Sequence, residues 1–424
     1  MNYPIWEVSL IGGGIAIALI AIPHIFFSHF AIGGSLYLVL TEHKAYREND
    51  ERVLNFVKQY TPFFVVIVLV VGALTGVGIW FSIALVSPEA TSSLLRVFMW
   101  LWASEWVLFA VEIIAAFAYY YGWGRLSRRA HLAVGWVYFV AAWFSLFIIN
   151  GILSFMMTPG DWVESRSLVD AFFNATFYPS TLLRTMVAVA LAGAFALIAS
   201  SRIPEDDLRE KMVRYSGQWL AVAFLLMPVG LVWYLTQVPS LARDIAFGAA
   251  AAPQIFLILS LVLSALIFGF ALLGPYLNPR LFYYPFAIVI FVLAFIVTGS
   301  SEMFREAARK PFVIYDYMYS NQIRVDEVAE LNREGVLASA KWSSVSRVEP
   351  GNEPEAGREV FKLECSACHT VRGYNPVAPL VAEWSEEYID FQLERLDELK
   401  PFMPPFIGRE EERKALAAWL DSLD

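Results

Sequence analysis

The run VSLIGGGIAIALIAIPHIFFSHFAIGGSLYLVL, residues 8–40, contains no Asp, Glu, Lys or Arg. A helix needs roughly 20 apolar residues to cross ~30 Å of hydrocarbon, and this run exceeds that. It therefore predicts a membrane span. It is too long for the core of a signal peptide and no basic residue precedes it, so no cleavable leader is expected.

The rest of the chain reads the same way. Of 424 residues, 58% are hydrophobic and 17% charged, far more apolar than a soluble domain. Apolar runs predict spans at about 8–41, 61–86, 97–121, 132–157, 178–200, 217–238, 252–273 and 284–307. Backbone polar groups in lipid must be satisfied within the segment, so these spans are helices. The basic residues between them set the orientation. Lys44, Arg47, Arg52 and Lys58 follow the first span, Arg125, Arg128 and Arg129 the third, and Arg202, Arg209, Lys211 and Arg214 the fifth. The alternate loops are poor in Lys and Arg. Odd-numbered loops are thus expected in the cytoplasm, with both termini on the outer, periplasmic side of a bacterial inner membrane. Membrane lipid is an expected partner and nucleic acid is not.

Beyond the last span, Cys365-Ser366-Ala367-Cys368-His369 has the spacing that attaches a c-type haem. Two thiols bond the porphyrin and the adjoining imidazole becomes an axial ligand. Half a zinc site and a redox dithiol are the competing readings, but zinc needs two further soft ligands and the chain has no other cysteine. Met403, in the stiff run Pro401-Phe402-Met403-Pro404-Pro405-Phe406, is the candidate second axial ligand; an ordinary core methionine is the alternative. The run Glu410 to Leu420 is amphipathic and predicts a terminal helix. The tail from about Glu355 resembles a class I cytochrome c. Haem c is attached outside the inner membrane, which agrees with the orientation read from the loops. From Glu353 to Asp424 there are sixteen acidic and eight basic residues. That surface suits a basic periplasmic electron-transfer protein; equally, it serves to keep the tail soluble.

The expected fold is all-α: a polytopic bundle of about eight transmembrane helices with a small all-α cytochrome c domain. The expected division is residues 1–308, a haem-binding membrane domain; 309–353, a connector ending in the turn-rich Glu349 to Pro354; and 354–424, the cytochrome c domain.

Ionisable groups within spans are costly and point to function. His24 and His29 lie five apart in the first span and face different ways. Either one binds haem iron, relays protons or makes an interhelical hydrogen bond. Glu105 and Glu112 share one face of the third span. Arg184 lies early in the fifth. Glu302 and Glu306 share a face at the end of the eighth, near Arg305 and Arg309. His43 and His131, at span ends, are expected at the interface.

Pro23-His24-Ile25-Phe26-Phe27, Glu105 to Trp123 with Arg125-Leu126-Ser127 and His131-Leu132-Ala133-Val134, Asn150-Gly151, Thr158-Pro159-Gly160 and Glu306-Ala307-Ala308-Arg309-Lys310-Pro311-Phe312 occur in this order. Together, over about Pro23 to Arg324, they resemble subunit I of cytochrome bd quinol oxidases. The resemblance implies His24 as an axial ligand in a di-haem, oxygen-reducing site, with Glu105 as ligand or proton-handling carboxylate and Glu112 as the second acidic position. It implies Glu306 as ligand of the high-spin haem and Arg309 as a propionate partner. It also implies haems of b or b/d type, two and non-covalent, beside the one covalent haem c, and a subunit II-like partner among other respiratory subunits. The chain departs from the family where the low-spin haem belongs. Arg184 stands at or near the fifth-span histidine position, Pro253 to Leu273 holds no methionine, and the long quinol-binding loop is absent.

Two functions follow as expectations. The first is an oxidoreductase that moves electrons between membrane haems and haem c and reduces O2 with electrons from cytochrome c. The second is an electron-transfer subunit that does not reduce oxygen, serving a larger quinone- or cytochrome-linked complex. A channel or scaffold with a cytochrome tail is a third reading.

Overall fold

The computed structural model describes residues 3–423. Among them are eight helices long and apolar enough to cross a membrane. They are α1 (Gly12–Glu48), α2 (Glu51–Val86), α3 (Met99–Gly122), α4 (Arg128–Phe155), α5 (Phe177–Ser200), α6 (Asp206–Gln237), α7 (Ala251–Tyr276) and α8 (Tyr284–Ala308). Each falls on one of the eight apolar runs, and the all-α expectation holds.

Three helices outrun their apolar cores. α1 continues to Glu48 and stops where Asn49 turns into the left-handed region at φ 52°. Asp50 then caps α2, its carboxylate accepting from the N–H groups of Arg52 and Val53. α6 begins at Asp206, well before its apolar stretch. The extensions meet in ion pairs: Lys211 Nζ lies 2.9 Å from both Glu48 and Asp50, and Arg52 lies 2.7 Å from Asp207. Polar, exposed turns like these are helix without being hydrophobic.

α1 carries the centre of the core. Phe26, Phe30 and Tyr37 are fully buried along it. Phe30 stacks on Phe195 of α5 at 3.7 Å, and Phe26 meets Phe291 and Phe295 of α8 at 5.3 and 5.2 Å. At Gly33 an added Cβ would stand 1.8 Å from the Ala188 carbonyl oxygen, so α1 and α5 touch backbone to backbone. The path of α2 widens into a π-helix over Ile67–Gly72, facing the middle of α1.

After α8 comes a small hairpin, β1 (Phe312–Ile314) and β2 (Met318–Tyr319), then α9 (Val328–Glu334). The tail comprises α10 (Glu353–Glu364), α11 (Glu386–Leu393) and α12 (Glu410–Asp421). α10 crosses α12 at Gly357, where a Cβ would come within 2.1 Å of the Ala415 oxygen; Phe361 and Trp419 meet beside it at 5.0 Å. The connector is not a free linker throughout. Ile323, Leu331, Val336 and Leu337 share one core with Val360, Phe361, Leu416 and Leu420. The buried Glu412 carboxylate accepts from the N–H groups of Val336, Leu337 and Arg409 at 3.1, 2.9 and 2.8 Å.

This unit sits on one end of the bundle through specific hydrogen bonds. Tyr374 N–H donates to Leu10 O at 2.9 Å, just ahead of α1. Gln322 accepts from Glu89 N–H at 3.0 Å and donates to Val86 O at 3.4 Å, at the end of α2.

Candidate haem-binding sites

The Cys365–His369 stretch leaves α10 in one more tight turn: Cys365 N–H donates to Phe361 O at 2.8 Å and His369 N–H to Cys365 O at 2.9 Å. Two thiols and an imidazole are thereby gathered on a few residues. A haem attached here would be held through these two sulfurs as thioethers. His369 Nδ1 lies 3.2 Å from the Asn375 carbonyl, which can only accept, so Nδ1 donates and Nε2 keeps its lone pair for iron. Asn375 is held in turn by donating to Cys368 O at 2.9 Å. Burial lowers the His369 pKa and favours the neutral imidazole that a metal requires. Met403 is half-buried in its proline-flanked loop, with its N–H donating to Lys400 O at 2.8 Å.

In the membrane the same tautomer logic recurs twice. His24 Nδ1 lies 3.2 Å from Gly72 O and 3.3 Å from Thr75 Oγ1, at the end of the π-helical turn of α2. Gly76 lies flush against the ring, where a Cβ would come 3.1 Å from Cε1. His29 Nδ1 donates to Ile25 O at 2.7 Å. Neither Nε2 makes a hydrogen bond among the described residues, so each offers the form that ligates iron. The π-turn, a device common at functional sites, supplies the carbonyl that orients His24.

Glu105 and Glu112 lie along the seam of α3 and α4. Ser145 of α4 donates to Glu105 at 3.2 Å and lies near Glu112. Glu306 sits at the tail-side end of α8. Arg309 Nη2 donates to it at 2.5 Å, and Lys310 Nζ lies 3.6 Å away. Arg309 is buried, with Nη1 3.5 Å from Met156 Sδ. The Lys310 ammonium donates to Ser320 at 3.2 Å and lies near Cys368. One lysine thus lies between the α8 carboxylate and the Cys365–His369 loop. Among the described residues no hydrogen bond joins His24 to Glu105, Glu112 or Glu306.

Several polar groups went unread in the sequence. Lys310 is one; Gly72 and Thr75, which orient His24, are two more. Arg184 lies 3.6 Å from Glu302, which Arg305 also holds at 2.9 Å. His131, in the first turn of α4, is not exposed. It is buried, with Nδ1 2.8 Å from Glu42 and Nε2 donating to Tyr119 O at 2.9 Å, while the Tyr119 hydroxyl donates to Glu42 at 2.7 Å. The signal available was heptad spacing: Glu105, Glu112 and Tyr119 on α3 run against His131, Tyr138 and Ser145 on α4.

Comparisons with known proteins give the family and the fold. Residues 15–240 match the family described as cytochrome bd terminal oxidase subunit I. Residues 352–420 match the family described as cytochrome c oxidase, cbb3-type, subunit III. The solved structure of bd oxidase from Geobacillus thermodenitrificans is similar in fold, with TM-score 0.60 and 16% identity over 71% of this chain and 87% of that one. A search of curated proteins finds no match.

Proposed function

The chain belongs to the cytochrome bd terminal oxidase subunit I family, as a bacterial membrane protein of respiratory haem electron transfer, and on that premise we propose how it works. It moves electrons between a haem site within the bundle and a haem c on the tail, with O2 as the terminal acceptor and a periplasmic carrier as the donor. The observation that carries this reading is the packing of the Cys365–His369 loop against the bundle: Tyr374 N–H, just after the loop, donates to Leu10 O at 2.9 Å, and Lys310, 3.6 Å from Glu306 at the end of α8, lies near Cys368. Two redox groups held there would lie close together, with both termini on the periplasmic side.

Bound haem supplies one-electron chemistry at iron. The residues supply the rest. Cys365 and Cys368 tether the outer group and His369 and Met403 hold its iron. His24 presents Nε2 within the bundle, Glu306 serves as ligand from α8, and Arg309 neutralises a propionate. Glu105 and Glu112 move protons over Ser145 toward the site of oxygen chemistry. Residues 1–308, 309–353 and 354–424 divide these tasks as membrane unit, connector and cytochrome c unit. A subunit II-like chain is the partner we assign to the bundle.

The test is oxygen uptake by purified full-length protein given a reduced c-type cytochrome. Uptake that Cys365→Ala abolishes supports the reading; no uptake and no carbon monoxide binding overturn it. His29 favours a second reading. Its Nδ1 is tied to Ile25 O and its Nε2 is available, so it could make a membrane haem six-coordinate and the chain a conduit without oxygen chemistry. Low-spin spectra from every haem would establish that reading instead.

A further inference from the structure

Six charged side chains gather where α5 and α8 approach the tail. Glu302 takes Arg305 at 2.9 Å and Arg184 at 3.6 Å; Glu306 takes Arg309 at 2.5 Å and Lys310 at 3.6 Å. The other elements packed here bring His29 of α1, Tyr234 of α6, Met156 after α4 and Cys368 of the tail, none of them a fixed anion. Four cations therefore face two carboxylates. Uncompensated charge at membrane depth is costly and is ordinarily matched.

A second observation is independent of the charge count. The Nε of Arg184 and the Nε of Arg309 are both buried and have no acceptor among the described residues. The Arg309 side chain is only 3% exposed and that of Arg184 12%. Buried donors almost always find a partner, so two without one in a single cluster point to oxygens supplied from outside the chain. Two negative charges and two acceptors are wanted at the same place.

We propose that this cluster binds one group bearing two carboxylates, the paired propionates of the membrane haem, with Arg184 anchoring one and Arg309 the other. The proposal rests on the functional reading above and adds the role of Arg184. Arg184 stands in the span where the resemblance puts a haem-ligating histidine. A guanidinium carries only donors, so it cannot ligate iron, but its planar fork matches a carboxylate. The position has changed from holding iron to holding the edge of the porphyrin, and Glu302 keeps the side chain aimed there.

The experiment compares full-length wild type, Arg184→Met and Arg184→Lys. Acidified acetone extracts non-covalent haem, which is expressed per covalent haem c; a redox titration gives the midpoint of the membrane haem; total phosphorus reports bound lipid. Arg184→Met is expected to lose half or more of the extractable haem, or to keep it with a lowered midpoint, because removing a cation disfavours the reduced state. Arg184→Lys should recover most of the haem. An unchanged ratio and midpoint in Arg184→Met overturns the assignment, as does a loss that lysine does not recover at all. Loss of phosphorus with unchanged haem would give the cluster to a lipid phosphate and also overturn it. A wild type with no extractable haem would instead remove the functional reading on which the proposal stands.

Discussion

Replacing Glu412 by Ala should loosen the grip of the connector on the cytochrome c unit. The carboxylate is 3% exposed and accepts three backbone N–H groups, from Val336, Leu337 and Arg409. A hydrogen bond to a charged group contributes about 1.5–3 kcal/mol, and a buried donor left alone is penalised further. Discounting the Arg409 bond, which lies nearer solvent, the loss comes to about 4 kcal/mol. For a unit of this size each kcal/mol moves the midpoint by about 4–8 °C, so a fall of roughly 15–30 °C is expected. Glu412→Gln should cost about half as much, because one oxygen receives both Val336 and Arg409 while the amide nitrogen would oppose Leu337 N–H. Thermal unfolding of the full-length protein, followed by Soret circular dichroism of haem c, reads the effect. A Glu412→Ala midpoint within about 3 °C of wild type would refute the claim that this carboxylate joins the two segments.

Further outcomes follow from other groups. Burial pushes the Glu364 pKa well above the usual carboxyl range in the folded state. Its contribution to stability is therefore full below the unfolded pKa and is lost as pH rises through the folded one. Glu364→Gln should melt like wild type near pH 4 and higher than wild type at alkaline pH; matching alkaline melts would contradict this. His24→Ala should lose non-covalent haem and keep haem c, whereas His369→Ala should do the reverse in the Soret spectrum; an unchanged haem inventory in His24→Ala would show that the ligand lies elsewhere. Glu112→Gln should slow oxygen uptake at least tenfold with haem content intact, since proton-transfer groups typically contribute about 10²–10⁴-fold. Uptake at the wild-type rate would free Glu112 from any proton role.

Hydropathy read eight crossings from sequence because a hydrocarbon slab filters for one property over a known length. It missed the far end of α1 and the beginnings of α2 and α6, where Lys44, Glu51 and Asp206 lie in helix outside that slab. Cys365, Cys368 and His369 stood out because covalent haem attachment demands a local spacing. His24, Glu105, Glu306 and Arg309 stood out as ionisable groups in or beside spans, but the roles proposed for them come from resemblance alone, since no local pattern names their partners. Nothing local shows that Gly72 O will face His24 across a π-turn, or that Lys310 will lie between Glu306 and Cys368. His131 read as interfacial because it stands at a span end; the partner that buries it, Glu42, is on another helix. The connector read as a linker because it mixes aromatic residues with charge and ends in the turn-rich Glu349 to Pro354, yet Val336 and Leu337 fill the core of the tail.

The claim on which the account depends is that electrons pass within one chain between the bundle and the tail. Photolysis of carbon monoxide from the half-reduced protein tests it directly. The account predicts that haem c becomes reduced as the membrane haem loses its carbon monoxide, and that His24→Ala abolishes the signal. Carbon monoxide that photolyses and rebinds with no absorbance change at haem c would contradict it.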